Sequence, residues 1–201
     1  YKPRVFTLPE EKVREIVVKE SAGISSEQKY LRGLYTGGTL ADEAMILFDR
    51  EIGGIYSNNQ VKEELVPKDP HVSQEHTIVD LGDDVFTVGR PHPMIDPSTR
   101  EERIVSEMED PEVALLLLDI VLGYGSHDDP AGAILDSLKA AREKAGQRGG
   151  YLAIIASITG TEGDFQNMAE QQQKLESIGC IVMPSNYQAS MLALEIIRKV
   201  V

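Results

Sequence analysis

The sequence predicts an α/β fold built on a doubly wound parallel sheet, and three observations carry the prediction. Residues 114–122 and 152–158 are apolar runs without polar alternation, the pattern of strands buried on both faces. Each run ends in a turn that carries glycine, Gly123 and Gly125 in one case and Gly160 and Gly163 in the other. Each turn leads toward a segment with apolar residues at helical spacing, so strand and helix alternate along the chain. Right-handed crossovers then make the sheet parallel and bring every strand-to-helix turn to its carboxyl edge.

Taken in order, residues 8–20 place Val13, Ile16 and Val17 among charges, and Pro9 suits a first helical turn, so a short amphipathic helix is expected. Residues 21–29 are polar and read as a linker, which divides the chain into a helical appendage over 1–29 and a domain over 30–201. A strand over 30–35 meets Gly37-Gly38-Thr39, and a helix follows over about 40–50 with Leu40, Ala44 and Leu47 on one face. Gly53-Gly54-Ile55-Tyr56 reads as a turn into a short second strand, and residues 57–75, with Pro67 and Pro70, as an irregular loop. Thr77-Ile78-Val79-Asp80 is a third strand. Asp96-Pro97 sets an N-cap and a proline at the first helical position for a helix to about Met108. After the central strand, a helix over about 131–148 turns Ile134, Leu135, Leu138 and Ala141 inward, with Asp129-Pro130 at its start and Gly149-Gly150 at its end. A strand over 152–158, a Gln-rich helix to Ile178, a strand over 180–183 and a helix over 187–200 complete the pattern.

At 201 residues and 41% hydrophobic content the chain suits one domain with a real core, with or without an appendage. A formal charge of -13 argues against nucleic acid as a partner, since affinity for a phosphate backbone needs clustered Lys and Arg. No apolar run reaches spanning length and no signal peptide is visible, so no membrane is expected. The one cysteine, Cys180, excludes a disulfide framework, reads as core, and makes a cytoplasmic setting the expectation. The chain opens at Tyr1 rather than Met, as a fragment would.

Helix starts leave backbone N–H groups unpaired and favour anions, so the rim turns supply the candidates for binding a phosphate. These are Gly37, Gly38 and Thr39 in the first turn, Gly123, Gly125 and Ser126 in the central one, and Gly160, Thr161 and Gly163 in the next. Thr39 reads equally as an N-cap with Glu43 near capping-box reach. His127 stands beside the central turn, where binding a phosphate or carboxylate and lying solvated beside the Asp129 cap are both open readings. Arg90 and His92, bracketed by Gly89, Pro91 and Pro93, occupy a stiff loop suited to aiming a guanidinium at a phosphate or carboxylate, unless Arg90 pairs with Asp83 or Asp84 and braces the loop. Asp80, Asp83 and Asp84 suit capping a turn better than holding a hard cation, so no metal is expected.

Leu31-Arg32-Gly33-Leu34-Tyr35-Thr36-Gly37-Gly38-Thr39-Leu40, Thr77-Ile78-Val79-Asp80-Leu81-Gly82-Asp83-Asp84, Gly89-Arg90-Pro91-His92-Pro93-Met94-Ile95-Asp96-Pro97 and Asp119-Ile120-Val121-Leu122-Gly123-Tyr124-Gly125 resemble the FdrA-like proteins. These are members of the NDP-forming acyl-CoA synthetase, or succinyl-CoA synthetase, superfamily, and the resemblance covers nearly all of residues 30–201. It implies a ligase-CoA domain with a flavodoxin-like sheet, working beside a Rossmann-like CoA-binding domain that would lie ahead of Tyr1. CoA and nucleotide are expected through that domain, with none held firmly by this one, and the domain is expected to assemble with like or related subunits. The superfamily works through an acyl phosphate and a phosphorylated histidine in a Gly-His-Ala-Gly-Ala setting. Here the similar turn, Gly160-Thr161-Glu162-Gly163-Asp164, is followed by Phe165-Gln166-Asn167-Met168 and no histidine. The resemblance therefore leaves three readings: CoA ligation without the phosphohistidine, a subunit of an oxamate carbamoyltransferase of ureide breakdown that uses carbamoyl phosphate, or a non-catalytic assembly domain. On the first two, Arg90 and His127 are the catalytic candidates, stabilising charge on the group transferred.

Overall fold

The structure is a computed structural model and describes residues 8–200. Its centre is a five-stranded parallel sheet in the order β2-β1-β3-β4-β5, formed by β1 (Tyr30–Tyr35), β2 (Thr77–Asp80), β3 (Val113–Val121), β4 (Ala153–Thr159) and β5 (Ile181–Met183). This is the flavodoxin-like doubly wound order. Two helices, α2 (Gly38–Glu51) and α7 (Asn186–Val200), cover one face, and α4 (Ser98–Glu107), α5 (Pro130–Gln147) and α6 (Met168–Ser177) cover the other. The leucine run of β3 divides by parity. Leu115 and Leu117 join Tyr35, Phe48 and Ile197 in one core, while Leu116, Leu118 and Ile120 join Ile104, Ile134 and Leu175 in the other. A strand buried on both faces has no position left for a solvated side chain, which is why its sequence shows no alternation.

Three local expectations change. Ile55-Tyr56 does not form a second strand: Gly53 and Gly54 both take positive φ, and the chain meets the sheet edge only at Tyr56, bridged to Thr77. The Asn58 side chain then takes over, accepting from the Asp80 N–H and donating to its carbonyl, both at 3.0 Å, so an amide stands where a strand's backbone would. The turn after β2 holds an unexpected short helix, α3 (Asp84–Thr87), with Asp83 accepting from Val85 N at its start. The next helix, α4, begins one residue later than expected, at Ser98, whose N–H donates to Asp96.

The polar stretch expected to be a linker closes the amino edge of the sheet. Gln28, 3% exposed, donates to the carbonyls of Val113 and Tyr151 and accepts from Tyr151 N and Ser25 N. Before it, α1 (Glu10–Ser21) lays Val13, Ile16 and Val17 against the core shared by α2 and α7. The expected appendage runs from Tyr1, and residues 1–7 lie outside the described residues. Cys180 is buried, as expected of a core residue, and burial pushes its thiol up to about 12. No helix among the described residues is long and apolar enough to cross a membrane.

His76 leads into β2 and accepts from Leu31 N through Nδ1 at 3.2 Å. Burial, and then the charge of Arg32, lower its pKa to about 4 from 6.5. The folded chain thus binds that proton less readily than the unfolded chain. The contribution is complete above pH 6.5 and is lost as pH falls toward 4, up to roughly 3 kcal/mol. Urea midpoints taken across that window should fall more steeply for the natural chain than for His76→Asn, which keeps an acceptor and cannot charge; equal slopes would remove His76 as the cause.

Candidate functional site

Strand order reverses between β1 and β3, and the crevice at such a switch point is where doubly wound sheets take ligands. The polar groups there are laid down by register. Tyr35 is paired with Asp80, and Asp119 with Ser157, in the last paired row but two or fewer of each strand, all of them buried. Asp119 is fully buried and works as a template for the first rim turn. Its Oδ1 accepts from Thr36 N at 2.8 Å, and its Oδ2 accepts from Gly37 N at 2.8 Å and from the Thr36 hydroxyl at 3.0 Å. From α4, Arg100 donates through Nη1 to the Asp119 carbonyl at 2.5 Å and to Oδ1 at 3.2 Å. A charge this deep persists only when paired and hydrogen-bonded, and Asp119 has both.

The turn so held opens α2 with Gly37 at the cap position and no side chain capping it. Leu40 N and Ala41 N both return to the Gly37 carbonyl, while Gly38 N and Thr39 N have no acceptor among the described residues. Thr39 therefore lies inside the first helical turn and is not the N-cap, and Glu43 accepts from Asn186 Nδ2 at 2.7 Å in place of closing a capping box. Asp80 lies beside this start. Its carboxylate accepts from Gly82 N at 2.8 Å and Asn59 Nδ2 at 3.3 Å, and a Cβ on Gly38 would stand 2.7 Å from its Oδ2. Burial pushes the Asp80 carboxyl above the usual range, and the charges of Asp83 and Asp119 push the same way.

The starts of α5, α6 and α7 differ in carrying side-chain caps. Asp129 accepts from Gly132 N and Gln171 from Ala131 N at α5; Asn167 accepts from Glu170 N at α6; Ser185 accepts from Gln188 N at α7. Gly123 and Gly125 take φ of 124° and 89°, which side-chain-bearing residues rarely adopt. Gln166 clasps that turn, donating to the carbonyls of Gly123 and His127 and accepting from Gly123 N, while Ser126 N donates to Gly123 O. In the next turn, beyond Gly160, Thr161 N donates to Asp164 and Gly163 N to the Thr161 hydroxyl. So Gly37 and Gly38 share the β1–β3 crevice with Asp80 and Asp119, whereas Gly123 meets Gln166 and Asp164 one strand over.

Both candidate histidines lie on loops joined at Met94, whose carbonyl accepts from His127 N at 2.6 Å. His127 Nδ1 accepts from Asp129 N at 3.0 Å and His92 Nδ1 from Met94 N at 3.2 Å, so geometry assigns any ring proton of the neutral form to Nε2 in each. The His92 ring packs on Gly82. Arg90 pairs with neither Asp83 nor Asp84. Its Nη1 lies 3.1 Å from Glu102, an exposed ion pair, and its side chain lines an open groove of about 410 Å³ together with His71, Phe86 and Arg103. Asp119, Arg100 and Gln166 were not singled out by sequence. Asp119 carried a signal, a lone carboxylate within an apolar run; Arg100 and Gln166 carried none.

Residues 34–196 match the CoA-ligase family. The chain is also 42% identical over 184 residues to the uncharacterized protein YahF of Escherichia coli (strain K12), a similarity that covers 92% of this chain and 36% of that protein. The chain thus spans about a third of the length of that relative. With a matched region that runs from β1 to α7 and takes in the whole switch-point rim, the chain belongs to the CoA-ligase family, the ligase-CoA domain of the succinyl-CoA synthetase superfamily.

Proposed function

We propose that this domain handles an acyl phosphate at the carboxyl rim of its sheet, as a succinyl-CoA synthetase-type domain that works without a phosphohistidine of its own. One observation carries the reading: at the switch point, the start of α2 has no side-chain cap and leaves Gly38 N and Thr39 N without an acceptor among the described residues, whereas a side chain caps each of the starts of α5, α6 and α7. Open N–H groups at the positive end of a helix dipole are a phosphate site. Asp119 fixes the turn that presents these donors, accepting from Thr36 N and Gly37 N. CoA and nucleotide are proposed to come from outside this chain, and the reacting groups to be completed by related subunits.

The turn that carries Gly160, Thr161 and Gly163 supports the departure from the phosphohistidine. Gln166 stands in the stretch where a histidine would be expected and is spent on clasping Gly123 and His127. His127, with Nδ1 engaged, offers only Nε2, which suits holding a phosphate or carboxylate oxygen. The same absence favours a second reading, a carbamoyltransferase subunit, because carbamoyl phosphate is itself an acyl phosphate and its transfer needs no phosphoenzyme.

Calorimetric titration with acetyl phosphate, succinyl phosphate and carbamoyl phosphate separates the two by preference. In either case Gly38→Ala should weaken binding about tenfold, the scale of a lost helix-terminus contact, because its Cβ would meet Asp80 Oδ2 at 2.7 Å. Undiminished binding by Gly38→Ala, or no binding of any acyl phosphate, would overturn the proposal.

A further inference from the structure

If helix faces were to dock a partner, their apolar side chains would lie open, but on α5 Ile134, Leu138 and Ala141 are buried in the domain's own core. A more exposed pair stands on the rim. Tyr124, in the turn after β3, is 96% exposed and Phe165, in the turn after β4, is 55% exposed; their ring centroids are 6.0 Å apart and their planes are tilted by 38°. The backbone under both rings is fixed by one reciprocal pair of bonds, Gln166 Nε2 to Gly123 O at 2.9 Å and Gly123 N to Gln166 Oε1 at 3.1 Å. Two aromatic rings are therefore held out in water on a rigid base. Asp164 lies alongside, its Oδ2 engaged by Thr161 and its Oδ1 within 3.8 Å of where a Cβ on Gly123 would stand, and Asp128 is exposed in the same turn as Tyr124. Through the Met94–His127 bond, the exposed Ile95 belongs to a loop joined to this one.

We propose that the Tyr124–Phe165 ridge is a docking surface for a protein partner that presents an arginine, its guanidinium lying on the aromatic pair and turned toward Asp164. The chemistry of the ridge selects that occupant. A small molecule needs walls that bury most of its surface, and a ring 96% exposed has none around it. Bases of single-stranded nucleic acid stack on such rings, but only where a basic groove holds the backbone, and this ridge is acidic on a chain of net charge -13. A second copy brings the same charge and the same acidic ridge, so like meets like. A guanidinium satisfies both features at once, since it stacks on aromatic faces and pairs with carboxylates in its plane. The inference does not depend on the acyl phosphate reading.

The test places a photo-crosslinking residue at Ile95 of the full-length protein in its native host and sequences the cross-linked peptides. The expected product is one discrete partner segment that contains an arginine. Its yield should fall at least tenfold in Tyr124→Ala, as for an aromatic hot spot, and likewise in Asp164→Lys. Asp164 also holds Thr161, so Tyr124→Ala, which removes only an exposed ring, is the decisive variant, with an unchanged melting temperature as its control. Reversal of the partner's arginine to glutamate should abolish the product. Cross-links to a second copy of this chain, cross-links to nucleic acid, the absence of any discrete product, or a yield indifferent to Tyr124→Ala would each overturn the proposal.

Discussion

Asp119→Ala is expected to cost about 3–5 kcal/mol of folding stability, the scale for removing one partner of a buried ion pair. The cost has two sources. Arg100, 2% exposed, loses the carboxylate that neutralises it, and its Nε already lacks a partner, so no second acceptor stands ready. Thr36 N and Gly37 N lose their acceptor at the moment the chain must turn from β1 into α2. Urea unfolding reads the loss directly as a fall in midpoint. The double variant Asp119→Leu/Arg100→Met separates the sources, because replacing both charges with apolar groups removes the desolvation penalty along with the attraction. Most of the stability should return while binding of acyl phosphates does not, since the rim turn still lacks its template. A single variant that costs under about 1 kcal/mol would show the pair to be hydrated rather than buried.

The same residue marks how far the sequence could be read. The sheet was legible because a strand buried on both faces has to be apolar at every position, and because a parallel sheet sends all its strand-to-helix turns to one edge. From that rule alone the glycine turns fell on the rim. Within β3, Asp119 broke the apolar run, and a carboxylate there demands a partner; which partner was not legible, because Arg100 reaches it only through the way α4 packs on the sheet. The same holds for the donors of the rim. Gly37-Gly38 and the Gly123 turn look alike in sequence, yet only the α5 start after the second is closed in part by Gln171, a residue forty positions later. Loop stiffness likewise said that Arg90 would be aimed, without saying where, and it points to Glu102. The missing strand at Ile55-Tyr56 fails for a local reason: two consecutive glycines at positive φ bring the chain to the sheet edge for a single residue.

Glu107→Leu is expected to be the second large loss, again about 3–5 kcal/mol, because one carboxylate serves two buried guanidiniums. Its Oε2 accepts from Arg32 Nε at 2.8 Å and its Oε1 from Arg103 Nε at 2.5 Å and the Ser73 hydroxyl at 2.6 Å, with all three charged side chains 6% exposed or less. Arg32 would keep Asp110, at 2.6 Å. Arg103 would keep only neutral acceptors, the Pro70 carbonyl and Ser73. The damage should spread along the chain in one direction. Ser73 and Pro70 belong to the segment 57–75, whose other end supplies the Asn58 and Asn59 amides that hold Asp80 beside the start of α2. Hydrogen exchange in Glu107→Leu should therefore quicken over 57–75 and at the end of α4, with β4 and α6 unchanged. As a control, Arg198→Ala breaks an exposed ion pair with Glu51 of similar length, 2.8 Å, and should cost less than about 1 kcal/mol. If the two variants cost the same, burial is not what makes the Glu107 cluster strong, and exchange spread evenly over the sheet would mean that the cluster supports the whole core rather than the loop that positions the site.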